Sequence, residues 1–343
     1  FKYIPDVFKD KYADNEAEAD RWYTDQDNNR RPPELLPRDE VARAINSEVK
    51  AGRGTEHGGV FLDVSKRLSA EVIKKRLPSM WHQFYELAGV DITKEPMEVG
   101  PTCHYVMGGV EVDPDSAAAV GVDGLFAAGE VAGGMHGSNR LGGNSLTDLL
   151  VFGRRAGMGA VAYVKSHGEN PVTEASVEKA AARIQAPFTR AGGENAYSLH
   201  QELQEITHNL VGIIRTGSEL SEAIEKIAAI RKRSENISVT GDRTFNPGFH
   251  LVFDLDNMLL VAESTAKSAL LREESRGGHT RDDFPTMSSK WRQVNHISSF
   301  DGTKVSIKSQ PLPALPKELF DLFDVHELEK YMTPEEIAKG GSN

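Results

Sequence analysis

The segment from Leu125 to Leu146 constrains the fold most. A short apolar run, Leu125-Phe126-Ala127-Ala128, leads into a glycine-rich stretch from Gly133 to Gly143. A helical pattern follows, from Ser145 to about Val164. In that order the glycines bring backbone amides close to a ligand, and a helix starts immediately afterwards. The first turn of such a helix offers unpaired N–H groups and a partial positive charge. Arg140, inside the loop, adds a planar fork able to hold a carboxylate by two bonds. A solvent-facing loop with a surface arginine is the plain alternative reading.

Elsewhere the patterns alternate between classes. Residues 5 to 35, rich in polar and aromatic side chains and broken by Pro5, Pro32 and Pro33, predict irregular structure with short helices. After Pro37, the acids Asp39 and Glu40 suit a first helical turn. Val41, Ala44, Ile45 and Val49 then keep helical spacing until Gly52. Gly59 to Val64 predicts a strand, and Ser69 to Ala88 one amphipathic helix capped by Ser69. Met97 to Asp113 has strand and turn character, and Leu125 to Glu130 reads as a buried strand. Helices are predicted over Val177–Ile184, Leu199–Ile214, Leu220–Ile237 and Leu255–Leu271, forming a bundle. Asp301-Gly302, flanked by alternating residues, signals a hairpin.

Composition excludes some functions. The net charge is −11 and no dense block of Lys and Arg is present, which argues against nucleic acid as the ligand. No apolar stretch is long enough for a membrane span. Cys103 is the sole cysteine, so an internal disulfide or cysteine-rich metal site cannot form. The histidines show no metal-ligand spacing, and no metal site is expected. Gly157-Met158-Gly159 resembles a dinucleotide fingerprint but falls inside a predicted helix, where close packing explains it better.

The run His136-Gly137-Ser138-Asn139-Arg140-Leu141-Gly142-Gly143-Asn144-Ser145-Leu146, preceded by Gly129-Glu130, closely resembles the glycine-rich signature of succinate dehydrogenase and fumarate reductase flavoproteins. Three further segments resemble the same family in order. They are Pro37 to Ala44, Pro101 to Gly109, and Arg272 to His279 with its continuation Arg281 to Pro285. The likeness covers nearly the whole chain, with an actinobacterial flavour.

The resemblance implies a multi-domain α/β and α+β fold. Residues 1 to 98 would belong to a capping domain and 99 to 165 to part of a Rossmann-like FAD-binding domain. Residues 166 to 275 would form a helical bundle and 276 to 343 a C-terminal domain. It implies FAD as cofactor and a dicarboxylate, succinate or fumarate, as substrate. Arg140, Gly143 and His104 would bind substrate. Glu130, Asn144, Ser145 and Leu146 would lie against the cofactor, and Arg38 would carry the proton. Read alone, Arg38 is a solvated helix-start arginine and His104 a turn histidine. An iron-sulfur subunit, and through it a membrane anchor on the cytoplasmic face, are the implied partners.

The family's N-terminal glycine fingerprint has no counterpart here, so the expectation is a C-terminal portion with exposed apolar surface where the rest would pack. L-aspartate oxidase is the alternative enzyme, and a non-catalytic assembly module the alternative class. Gly142-Gly143 and Met107 favour the dehydrogenase pattern.

Overall fold

The computed structural model describes residues 38–168, 171–329 and 332–340; the irregular N-terminal stretch expected above lies outside them. The chain divides into two compact units between His104 and Tyr105.

In the first unit, helix α1 spans Arg38–Lys50, with Asp39 and Glu40 in its first turn and Lys50 in its last. That charge order complements the helix dipole. Asp39 also pairs with Arg43 one turn on, at 3.0 Å. The helix is followed by Gly52 at φ 73°, a conformation that glycine adopts without strain. Strands β1 (Val60–Leu62) and β2 (Met97–Val99) pair antiparallel, with Val60 opposite Val99 and Leu62 opposite Met97.

Between them the single helix expected over Ser69 to Ala88 is broken into three pieces. Helix α2 is Ala70–Arg76, α3 is Pro78–Gln83, and a wider π-helical turn runs from Phe84 to Ala88. Pro78 causes the break between α2 and α3: it has no N–H to continue the ladder and pushes the preceding residue out of helical geometry, whereas α3 runs directly into the π-helical turn. Leu77 accordingly sits at φ −125° and ψ 46°. Ser69 caps α2 as expected, accepting from the Val72 amide at 3.3 Å. Ile73, Ile92 and Met97 form the buried core of this unit, with Trp81 and Phe84 packed against them.

The second unit holds the glycine loop and the bundle. Val110 pairs parallel with Ala132, its amide donating to the Val131 carbonyl at 2.7 Å. A Cβ on Gly109 would collide with that same carbonyl, so only glycine lets the two backbones meet. The Leu125–Glu130 run is not a regular strand. Phe126 makes one antiparallel bridge to Ala118, and Gly129, at φ 74°, turns the chain into a short 3-10 segment, Gly129–Val131. The long helix α4, Asn144–His167, then begins. Gly157 and Gly159 lie inside it, as the packing reading requires, and a Cβ on Gly159 would meet the Ser116 carbonyl. Gly153 and Gly157 meet nothing that close.

Helix α5 is Glu174–Thr189, α6 is Ala196–Leu210, α7 is Gly217–Ser234 and α8 is Pro247–Leu271. Leu199, Leu203 and Ile206 of α6, Ile227 and Ile230 of α7, and Leu255 and Leu259 of α8 are buried together. The three-to-four-residue spacing puts each set on one helix face. α6 ends four residues before the expected Ile214, and α8 starts eight residues before the expected Leu255. Asn246 caps α8, accepting from the Phe249 amide, and Pro247 follows at its first position. Strands β3 (Val294–Phe300) and β4 (Val305–Pro311) form the expected hairpin. No helix among the described residues is long and apolar enough to cross a membrane.

Candidate functional site

The site is built around the loop that carries Arg140. Val106 donates its amide to Glu130 Oε1 at 2.9 Å, tying the segment after His104 to the 3-10 turn before the loop. One residue earlier, Tyr105 reaches into the loop itself. Its hydroxyl lies 2.9 Å from His136 Nε2 and 3.1 Å from Asp148 Oδ2. The Arg140 guanidinium stacks over the Tyr105 ring at 4.6 Å, and Arg140 Nη1 donates to the Leu141 carbonyl at 3.3 Å. Such a stack suits arginine, whose planar cation is weakly hydrated and attracted by a ring face. Burial, and then the hydrogen bond to Asp148, push the Tyr105 phenol above its ordinary pKa, so its proton stays on at neutral pH.

Immediately after Arg140 the chain turns through Gly143 at φ 84° into α4, with no side chain capping the helix start. The Asn144 amide bonds back to the Leu141 carbonyl at 3.2 Å. Leu146, in the first turn, is 68% exposed, and a Cβ on Gly142 or Gly143 would meet nothing within 4 Å. A helix N-terminus without a side-chain cap, flanked by open glycine backbone and an exposed leucine, fits a flat ring with a polar edge. The donor set is therefore compatible with a flavin.

The loop is held from below by the C-terminal signature. The Gly278 amide donates to the Ser138 carbonyl at 2.9 Å. Gly277, at φ 59°, approaches so closely that a Cβ would strike that carbonyl. Around these glycines sits a buried ionic clamp. Glu274 is 0% exposed and receives Arg272 Nη1 at 2.7 Å, Arg276 Nε at 3.2 Å and the Ser288 amide at 2.9 Å. Arg281, also buried, grips Asp283 with two bonds of 2.8 Å and donates to the Ala269 and Leu270 carbonyls at the end of α8. The contacts of this segment are with the protein's own carboxylates and backbone.

His279 belongs to the clamp, its Nε2 lying 3.0 Å from the Arg272 carbonyl. Burial is the main cause that holds its imidazole down to about 4, with Arg215, Arg272 and Arg281 adding to it. An unfolded histidine binds its proton near pH 6.5. The unfolded chain therefore protonates first, and this histidine's contribution erodes as the pH falls from about 6.5 toward 4. Denaturation curves of the full flavoprotein at pH 7 and pH 5 should differ more for wild type than for His279→Gln. Equal shifts in both would show that other groups set the slope.

Of the residues singled out from sequence, Glu130, Arg140, Gly143, Asn144, Ser145 and Leu146 fall in the second unit along one continuous stretch of turn, loop and helix start. Arg38 opens α1, exposed, and His104 closes the first unit. Tyr105, His136 and Asp148 were not assigned to the site by sequence reasoning, and no spacing rule links them.

Comparison with known proteins gives this arrangement its context. A family model described as FAD binding domain matches residues 18–146, and one described as Fumarate reductase flavoprotein C-term matches residues 200–318. The chain belongs to the succinate dehydrogenase and fumarate reductase flavoprotein family. FAD is the cofactor of this flavoprotein family. The chain is 44% identical over 260 residues to a fumarate reductase (CoM/CoB) subunit of Methanothermobacter marburgensis, covering 76% of this chain and 46% of that protein. It is 36% identical to the succinate dehydrogenase flavoprotein subunit of Rickettsia bellii, covering 81% of this chain and 49% of the relative. The solved structure of Mycobacterium smegmatis Sdh1 in complex with UQ1 superposes with a TM-score of 0.78 at 58% identity, covering 90% of this chain and 52% of that one. The flavoprotein chain described here thus spans about half the length of the relatives it matches.

Proposed function

We propose that this chain carries the carboxylate clamp and the flavin-facing helix start of an enzyme that interconverts succinate and fumarate. The observation that carries the reading is the placement of Arg140. Its guanidinium carbon lies over the Tyr105 ring, 4.6 Å from the centroid, within the glycine loop and just before the uncapped start of α4.

A dicarboxylate needs cations for both of its ends. Arg140 receives one carboxylate through two parallel N–H donors, and His104 adds a further donor to it. Gly143 keeps the backbone close to the substrate without a side chain in the way. Withdrawing charge through these bonds polarises the double bond of fumarate, so the same contacts that bind also activate. FAD, when bound, supplies the two-electron chemistry by exchanging a hydride at N5. Asn144, Ser145 and Leu146, at the helix start, orient the flavin, and Glu130 braces the loop beside it.

Arg38 moves the proton to and from the neighbouring carbon. A guanidinium holds its proton tightly, so this role requires surrounding cations that favour its release. The four-part organisation set out from sequence is proposed with it, and the electron partner is an iron-sulfur subunit. A membrane anchor reached through that partner would place the complex on the cytoplasmic face.

The test is substrate choice in the complex assembled on the full-length flavoprotein. Succinate should reduce an artificial electron-acceptor dye promptly, and L-aspartate should not. Prompt oxidation of L-aspartate without succinate oxidation would replace the reading with that of an amino-acid oxidase. A flavin-loaded complex that turns over neither would leave a non-catalytic module.

A further inference from the structure

Tyr105 joins three segments that are separate in sequence. It stands one residue past the division between the units, yet its hydroxyl meets His136 in the loop, 31 positions on, and Asp148 in α4, 43 positions on. His136 Nε2 also lies 3.4 Å from the same Asp148 oxygen, closing a triangle. The Asp148 side chain is 3% exposed, and its Oδ1 has no hydrogen-bond partner among the described residues. A buried carboxylate is stable only where donors converge on it, so the phenol donates to Asp148. The phenolic oxygen is then left to accept, which assigns the His136 proton to Nε2. A phenylalanine at position 105 would fill the same space without this network. The polar triangle fixes the rotation of the ring, and the Arg140 guanidinium carbon lies over that ring at 4.6 Å from its centroid.

We propose that Tyr105 is a positioning residue for Arg140: its ring sets the plane of the guanidinium that grips a substrate carboxylate, and Asp148 and His136 lock the ring. The proposal rests on the reading of Arg140 as that clamp. A fork misaligned by rotation still carries its charge but meets the carboxylate with one bond in place of two. Misalignment of this kind weakens ground-state binding and so raises KM, and because the same bonds strengthen as charge moves through the substrate it lowers kcat as well.

The experiment uses the complex containing the full-length flavoprotein, with Tyr105→Phe and Tyr105→Leu. Two quantities are measured: the split between KM and kcat for succinate, and the Kd of malonate from the perturbation of the flavin spectrum. Malonate is a dicarboxylate with no ethylene unit to oxidise, so it reports binding without turnover. Tyr105→Phe keeps the platform but loses the lock, and should raise both KM and the malonate Kd about threefold to tenfold. Tyr105→Leu removes the platform as well and should raise them about tenfold further. Flavin content, read from absorbance, should match wild type for Tyr105→Phe. If Tyr105→Leu loses its flavin, Tyr105→Phe alone decides. Wild-type malonate affinity and KM in Tyr105→Phe and in any flavin-retaining Tyr105→Leu would overturn the proposal and leave the clamp reading standing. Failure of the wild-type complex to bind malonate would overturn the clamp reading, and the proposal with it.

Discussion

Replacing Arg140 with lysine should lower kcat/KM for succinate by roughly 100-fold to 1000-fold in the assembled complex, the loss expected when a preorganised donor at the reacting group is removed. Lysine keeps the positive charge, so the test separates charge from shape. An ammonium is a compact point charge that cannot form two parallel bonds to one carboxylate. Nor does it stack flat, and the platform at 4.6 Å offered by Tyr105 would hold it poorly. The deficit should therefore fall on kcat as well as KM, because the bonds strengthen as charge moves through the substrate. Flavin absorbance and circular dichroism should be those of wild type. A lysine variant within tenfold of wild type would show that charge alone suffices and that the stacked geometry is incidental.

Glu274→Ala should destabilise the full flavoprotein by about 3–5 kcal/mol, the usual loss when one partner of a buried ionic cluster is removed. The carboxylate is 0% exposed and receives Arg272, Arg276 and the Ser288 amide. Truncation removes the carboxylate shared by two cations, one of them only 7% exposed, and leaves them with carbonyl partners to offset their charge. Urea unfolding followed by intrinsic fluorescence measures the effect. Glu274→Gln, which keeps an acceptor oxygen but not the charge, should fall between wild type and alanine. A loss below about 1 kcal/mol for alanine would put this cluster in the class of surface pairs that contribute little.

The parts legible in the sequence are those written in contiguous residues. Leu199, Leu203 and Ile206 reveal their helix because apolar spacing of three and four has one structural solution, and burial of all three agrees with it. Element ends were less legible, for identifiable reasons. The break at Pro78 follows from ring geometry, but the amphipathic pattern runs across it undisturbed. The early start of α8 was signalled by Asn246-Pro247, a cap followed by a first-turn proline, although the apolar run that draws attention lies further on.

In the site, the loop and helix start around Arg140 are one continuous motif and could be read directly. The triangle of Tyr105, His136 and Asp148 could not. Its members are 31 and 43 positions apart, and only the folded chain makes them neighbours. The bond between Glu130 and the Val106 amide, 24 positions apart, was hidden for the same reason.

The bond from the Gly278 amide to the Ser138 carbonyl carries a consequence for biosynthesis. The loop that carries Arg140 leaves the ribosome first, and the glycines that brace it are about 140 residues behind. At ordinary synthesis rates that interval is on the order of ten seconds. Throughout it the nascent loop has its motif but not its brace. Maturation of this flavoprotein thus waits on a distant segment: the loop cannot take its final form until the downstream glycines have emerged.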